Sequence, residues 1–276
     1  MTVQAESSFQ KTWNILLPFA VYFIVHDLAQ VLLAFLMNLS LSAGGSSYVE
    51  YMTVHAQTVN GILNALSLLA GMACVWPMAK KEFRLAKTDT SGRSGGNRKK
   101  HIVEYMLLAV FAVTLAIGTN ILLMLSGITE RSAAYGDVAA RQYGVAFAAG
   151  VVIYGVLSPL AEEIVFRGLI YNRMKRYFKL PLSVIVCGIL FGVYHGNLVQ
   201  GIYGCILGIA ITFAYELYGS FAAPVMFHSL ANLSVFIAGY HRQGLNGIVT
   251  ILNCVIFMTI SLVSLFFIWK MKKNHK

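Results

Sequence analysis

Two adjacent glutamates stand inside an otherwise apolar run, SPLAEEIVFRG, with an arginine four residues beyond the second. Glu162, Glu163 and Arg167 thereby place two carboxylates and a guanidinium among residues that offer them no water. A charge at bilayer depth costs at least about 2.5 kcal/mol even on lenient insertion scales, so each of the three needs a partner or a task. On a helix, Glu163 and Arg167 share a face and pair, with the carboxylate on the favourable N-terminal side. Glu162 points about 100° away and is left over. A carboxylate with no pairing duty is the kind of group that takes a proton from water as a general base. The competing reading is that all three brace helix packing. Ser158-Pro159, one turn earlier, supports the base, because a proline inside a helix removes a hydrogen bond and kinks the axis, which makes room for water.

Two further runs supply complementary groups. FGVYHGN ends a short apolar stretch on His195, and PVMFHSLAN puts His228 and Asn232 four residues apart, on one helical face. Together they offer a carboxylate and an imidazole to bind and deprotonate water, and imidazole and amide donors for an anionic intermediate. Peptide-bond hydrolysis requires that set. There is no HExxH, no GxSxG and no aspartate pair at helical spacing, which argues against the usual zinc, serine and aspartyl constellations. Glu162, His195 and His228 could instead form a zinc site of two histidines and one carboxylate. The metal-free arrangement, with no cofactor, is favoured because Asn232 is a good oxyanion donor and zinc sites usually show a clearer ligand motif. Cys74, Cys187, Cys205 and Cys254 show no CxxC spacing and read as buried thiols.

The elements that position these groups follow from composition. The 276 residues are 58% hydrophobic and 12% charged, whereas soluble domains carry about 25% charged residues. Apolar runs near the ~20 residues that cross a bilayer recur along the chain. They predict an all-α polytopic membrane protein with about eight transmembrane helices, near 12–38, 57–79, 102–128, 141–172, 181–196, 198–218, 221–240 and 246–270. The fourth is overlong and the fifth short. The first lacks a small-residue cleavage site and reads as a retained helix. Its His26 and Asp27 belong to none of the groups above, and relaying protons or binding a ligand in a non-enzymatic transporter, receptor or immunity protein is the alternative that would employ them.

The 21 Lys and Arg fall on one side of this layout, except Arg131, Arg141, Arg242 and the intramembrane Arg167. By the positive-inside rule both termini are cytoplasmic. The net charge of +10 then reflects topology and attraction to anionic lipid, and no nucleic-acid partner is expected. The whole chain, 1–276, reads as a single membrane domain with a flexible basic loop at 80–101 and its chemistry in the helices of 141–240. Counting along the helices puts Glu162 roughly 16 Å from the basic side, His228 roughly 12 Å, Asn232 roughly 18 Å and His195 roughly 22 Å. The site is therefore expected to be wet and open toward the basic side, with at least one of Ala161, Phe227 and Ala231 reachable from there.

EExxxR at Glu162–Arg167, FxxxH at Phe191–His195 and HxxxN at His228–Asn232, in that order on separate helices, resemble the CAAX-protease and bacteriocin-processing family, which includes the type II CAAX prenyl endopeptidases. The resemblance covers about 70 residues. It implies an eight-helix fold and a glutamate-dependent intramembrane endopeptidase acting on a membrane-associated, prenylated or otherwise lipidated peptide or protein, in the plasma membrane of a bacterium. It further implies that Glu162 is the base and His195 its partner, that His228 and Asn232 stabilise the oxyanion, and that Glu163 and Arg167 hold the site together. Substrate identity and oligomeric state do not follow from these residues.

Overall fold

The computed structural model describes residues 7–90, 98–240 and 247–273; residues 1–6, the middle of the basic segment (91–97) and Arg242 lie outside them. Among the described residues there are helices and no strand. They are α1 (Ser8–Ala43), α2 (Ser46–Val54), α3 (Ala56–Thr90), α4 (Arg98–Leu125), α5 (Ala133–Gly144), α6 (Phe147–Met174), α7 (Leu180–Tyr194), α8 (Leu198–Tyr218), α9 (Ala222–Tyr240) and α10 (Ile251–Lys273). Seven of these, α1, α3, α4, α6, α8, α9 and α10, are long and apolar enough to cross a membrane. The eighth apolar helix, α7, has 15 residues. This is an integral membrane protein of the all-α polytopic class.

Local chemistry explains the boundaries. Ser7 starts α1 through a capping box: its hydroxyl accepts from the Gln10 amide at 3.2 Å while Gln10 Oε1 accepts from the Ser7 amide at 2.8 Å. The expected fourth span, 141–172, divides. Residues up to Gly144 form the separate polar helix α5, and α6 begins only at Phe147. The break is pinned by α3, where Thr58 Oγ1 accepts from the Ala146 amide at 3.0 Å and Gly61 leaves space for the Val145 side chain. The segment expected as a basic loop is shortened at both ends, because α3 runs on to Thr90 and α4 starts at Arg98. Glu82 and Phe83 are the reason for the first extension. Glu82 is buried and receives Arg173 Nε at 3.0 Å and Arg176 Nη2, while Phe83 sits against Gly168 and Phe221.

Two cores flank the helix that carries the glutamates. One joins α1, α3, α6 and α7 through Tyr22, Val75, Phe166, Tyr171 and Cys187. The other joins α4, α8, α9 and α10 through Phe111, Ile211, Phe227 and Ile268. α1 and α10 lie outermost and present rows of exposed Leu, Ile and Phe, as lipid-facing helices do. At one end of the bundle the basic residues are latched to carboxylates. Arg173 also donates to the Asn14 carbonyl of α1 at 2.6 Å, Lys175 meets Glu216 at 3.1 Å, and Lys272 meets Glu104 at 2.6 Å.

α7 packs tightly against α8, and the contact rests on glycine. A methyl group added at Gly192 would lie 2.3 Å from Cys205 Sγ and 2.4 Å from the Gly201 carbonyl oxygen. One added at Gly188 would lie 2.4 Å from Ile209 Cγ1 and 2.6 Å from the Ile209 amide nitrogen. Small residues at such a seam let backbones approach where no hydrophobic driving force separates helix from lipid. Gly192→Ala is therefore expected to destabilise the bundle by about 1–3 kcal/mol, as overpacking does, read as a lower thermal midpoint in detergent micelles.

Candidate active site

The carboxylates sit on α6 between two stretches of π-helix, Ile153–Leu157 and Ile164–Tyr171. π-turns loosen a helix and free backbone groups. Here the Ser158 amide bonds to the Ile153 carbonyl, and Pro159 has no N–H to give. The Tyr154 carbonyl is thus left for another donor, and Asn232 Nδ2 of α9 supplies it at 3.3 Å. The kink expected from Pro159 takes this form, an irregular turn repaired by a neighbouring helix.

One turn later lies the ionic centre. Arg167 is fully buried and fully committed: Nη1 donates to Glu163 Oε1 at 2.7 Å, Nη2 to the Gly208 carbonyl at 2.8 Å and Nε to Thr212 Oγ1 at 3.2 Å. Its guanidinium carbon stands 4.8 Å from the centre of the Phe191 ring. His228 Nδ1 lies 2.7 Å from the same Glu163 oxygen. A carboxylate oxygen only accepts, so Nδ1 carries the proton and Nε2 faces the other glutamate, 3.7 Å from Glu162 Oε2. Ser158 Oγ donates to the remaining Glu162 oxygen at 2.6 Å, and Glu162 Oε2 has no hydrogen-bond partner. Two carboxylates against one guanidinium leave one negative charge over. The imidazole between them is the group able to carry the balancing proton.

His195 is placed by the end of its helix. Its backbone amide bonds to the Gly192 carbonyl, which frees the Phe191 carbonyl, and the imidazole Nδ1–H donates to that oxygen at 2.9 Å. Gly196, at φ +70°, ends α7 in the left-handed conformation that favours glycine, and Asn197 caps α8 by accepting from the Gln200 amide at 3.0 Å. With Nδ1 committed, Nε2 of His195 presents a lone pair. Phe191 lies between the two histidines, its ring centre 5.0 Å from that of His195 and 5.4 Å from that of His228.

The structure thus brings Glu162, Glu163, Arg167 and His228 into one cluster, with Asn232 a turn away on the helix of His228. His195 is tied to them through Phe191; the imidazole that stands in ion-pair range of Glu162 is that of His228. Among the described residues no group of three or more His, Cys, Asp or Glu is arranged to hold a metal ion, so Glu162, His195 and His228 do not converge as ligands. Ser158, Thr212 and the Gly208 carbonyl were not foreseen as partners. Ser158 could have been, since it stands four residues before Glu162. Thr212 and Gly208 come from a helix with no motif.

Access differs from expectation. Ala161, Phe227 and Ala231 are wholly buried, each facing a core rather than an opening. The half-exposed members are Ser158, His195 and Asn232, which lie farther from the basic end than Glu162 and His228. A cavity of about 790 Å³ does open at the basic end, among Trp76, Phe83, Leu160, Ile164, Tyr215 and Phe221. It touches the outer side of α6 and is lined by none of the cluster residues.

A helical membrane bundle with acid and imidazole groups buried at its centre defines the class. Residues 144–234, which contain the whole cluster, match the type II CAAX prenyl endopeptidase Rce1-like family, and this bears out the resemblance seen in the motifs. That family is one of CAAX-type membrane endopeptidases, which are hydrolases, and the match covers about a third of the chain. No curated protein and no solved structure matches the chain.

Removing one member of a buried ion pair strands the other. Glu163→Ala and Arg167→Ala should each cost roughly 3–5 kcal/mol, measured as loss of thermal stability in micelles. Thr212→Val, which removes one of four contacts of the guanidinium, should cost distinctly less.

Proposed function

We propose that this protein is a glutamate-dependent intramembrane endopeptidase that hydrolyses a peptide bond in a prenylated or otherwise lipidated protein, without metal or cofactor. The observation that carries the reading is the free oxygen of Glu162, buried beside His228 while every polar atom of Arg167 is engaged. Glu162 takes a proton from water, aided by the Nε2 lone pair of His195, and the resulting hydroxide oxygen bonds to the scissile carbonyl carbon. The carbonyl oxygen becomes an oxyanion. Imidazolium Nε2–H of His228 and the second Nδ2–H of Asn232 are the donors suited to hold it. The proton on Glu162 then passes to the leaving amine nitrogen as the C–N bond breaks, which restores the carboxylate. Glu163 and Arg167 do not touch the reactants. They fix the position of His228 and the orientation of its ring.

The flank formed by Ser158, His195 and Asn232 is where a peptide backbone meets the site, since these are the members not fully buried. The basic end of the bundle faces the cytoplasm, with both termini there, in the plasma membrane of a bacterium; the clustering of Lys and Arg at that end supports this orientation. Membrane lipid is the surrounding solvent.

Cleavage of an internally quenched farnesylated CAAX peptide in proteoliposomes tests the reading. Glu162→Gln and His195→Ala should each abolish turnover while leaving the thermal midpoint nearly unchanged, and turnover retained in Glu162→Gln would remove the proposed base. Asn232→Ala should lower kcat by about 10²–10³ with little change in KM, because an oxyanion donor matters mainly in the transition state. A pure KM effect would make Asn232 a substrate-binding residue instead.

A further inference from the structure

The cavity at the basic end takes no part in the cluster, yet its walls are sorted by polarity. Leu160 and Ile164 of α6 and Trp76 of α3 line the part farthest from the basic residues, while Lys175, Arg176, Glu82 and Glu216 stand at the other end. Phe83 and Phe221 flank it between the two. Trp76 and Leu85 are half-exposed as well as lining it, so one edge of the cavity lies on the outer surface of the bundle, where a lipid chain can enter sideways. Its volume, about 790 Å³, falls in the range of roughly 300–1,000 Å³ typical of ligand pockets. From Leu160 to Lys175 is about 20 Å along α6, which is the depth of one leaflet with its headgroup region.

The charges at the mouth do not balance. Arg173 and Arg176 both donate to Glu82, and Lys175 donates to Glu216, so among these residues three cations meet two carboxylates. The carboxylates also stand behind the cations. The side chains of Glu82 and Glu216 are 4% and 24% exposed, against 45% for Arg176 and 34% for Lys175. A group arriving at this mouth therefore meets positive charge first, and beyond it an apolar, aromatic cleft.

We infer that this cavity is a binding site for an anionic phospholipid of the leaflet at the basic end. One acyl chain lies among Trp76, Leu160, Ile164 and Phe221, and the phosphate accepts from Lys175 and Arg176. Basic pockets between membrane helices suit such headgroups, and a charge-assisted hydrogen bond to phosphate is stronger than one between neutral groups. The bound lipid joins α3, α6 and α8 through Trp76, Ile164 and Tyr215, all of which line the cavity. It braces α6 on the side away from the cluster. The inference does not depend on which residue acts as base.

Titrating phosphatidylglycerol into the full-length protein in neutral detergent micelles tests it. The thermal midpoint should rise by about 5 °C near saturation, as a ligand well above its Kd does for a chain of this size. Phosphatidylcholine with the same chains should give a markedly smaller rise. Replacing both cations, Lys175→Gln with Arg176→Gln, should erase the difference between the two lipids. That variant is expected to fold, because Glu82 keeps Arg173 and Glu216 keeps the Tyr171 hydroxyl. Ala86→Trp, which fills the cavity and leaves the charges in place, should abolish the rise with either lipid. Equal rises with the two lipids in the wild type would overturn the inference without any variant, and so would an undiminished rise in Ala86→Trp. Glycerol 1-phosphate alone, or farnesol, matching phosphatidylglycerol would overturn it too, making the cavity a site for free phosphate or for a neutral prenyl chain.

Discussion

Everything in the centre of this bundle depends on satisfying one guanidinium away from water. Arg167 has no exposed surface, and an isolated charge in such surroundings is untenable, so its five hydrogens dictate what stands near it. They require a carboxylate on its own helix, a hydroxyl and a backbone carbonyl on α8, and an aromatic face on α7. α8 can bring its Gly208 carbonyl that close only because glycines at 188, 192, 204 and 208 let α7 and α8 nearly touch. The electrostatic requirement of one side chain thus sets the approach of three helices. The groups proposed to be catalytic take their positions from that approach.

His228 links this scaffold to the chemistry. One of its nitrogens is committed to the Glu163–Arg167 pair and the other is turned toward Glu162. The paired glutamate determines where the imidazole sits and how its ring is turned, while the other glutamate keeps one oxygen without a hydrogen bond. Adjacent carboxylates with different partners are driven into different roles by environment rather than by type. The family match over 144–234 spans the helices that contribute to this division, while α1, α3 and α10 lie outside it. Those outer helices differ in exposure: α1 and α10 meet lipid, whereas α3 closes the core behind the glutamates.

Much of this was legible in the sequence where the interaction is local. The Glu163–Arg167 pair follows from four-residue spacing, the short α7 from its run length, and the all-α membrane class from hydropathy. Interactions between distant segments were not legible. That His228 rather than His195 adjoins Glu162 depends on how α9 leans on α6, sixty-five residues apart in contact, and no periodicity encodes that. The division of the expected fourth span at Gly144 was hidden because Val145 and Phe147 continue the apolar run, and the break is fixed by Thr58 on another helix. The direction of exposure failed for a related reason. Depth along a helix can be counted, but the side from which neighbours cover it cannot.

The turn at His195 has a consequence of its own. The imidazole stabilises the last turn of α7, the next residue reverses the chain, and the one after that starts α8. Site and hairpin are therefore a single object with no slack between them. Most loops on a membrane protein absorb insertions freely, because loop-closure entropy grows slowly with length. This one does not. Lengthening it by even one residue would leave the His195–Phe191 bond intact but carry α8, whose Gly204 lies against the imidazole, out of register with α7, so the connection is held to its length by packing.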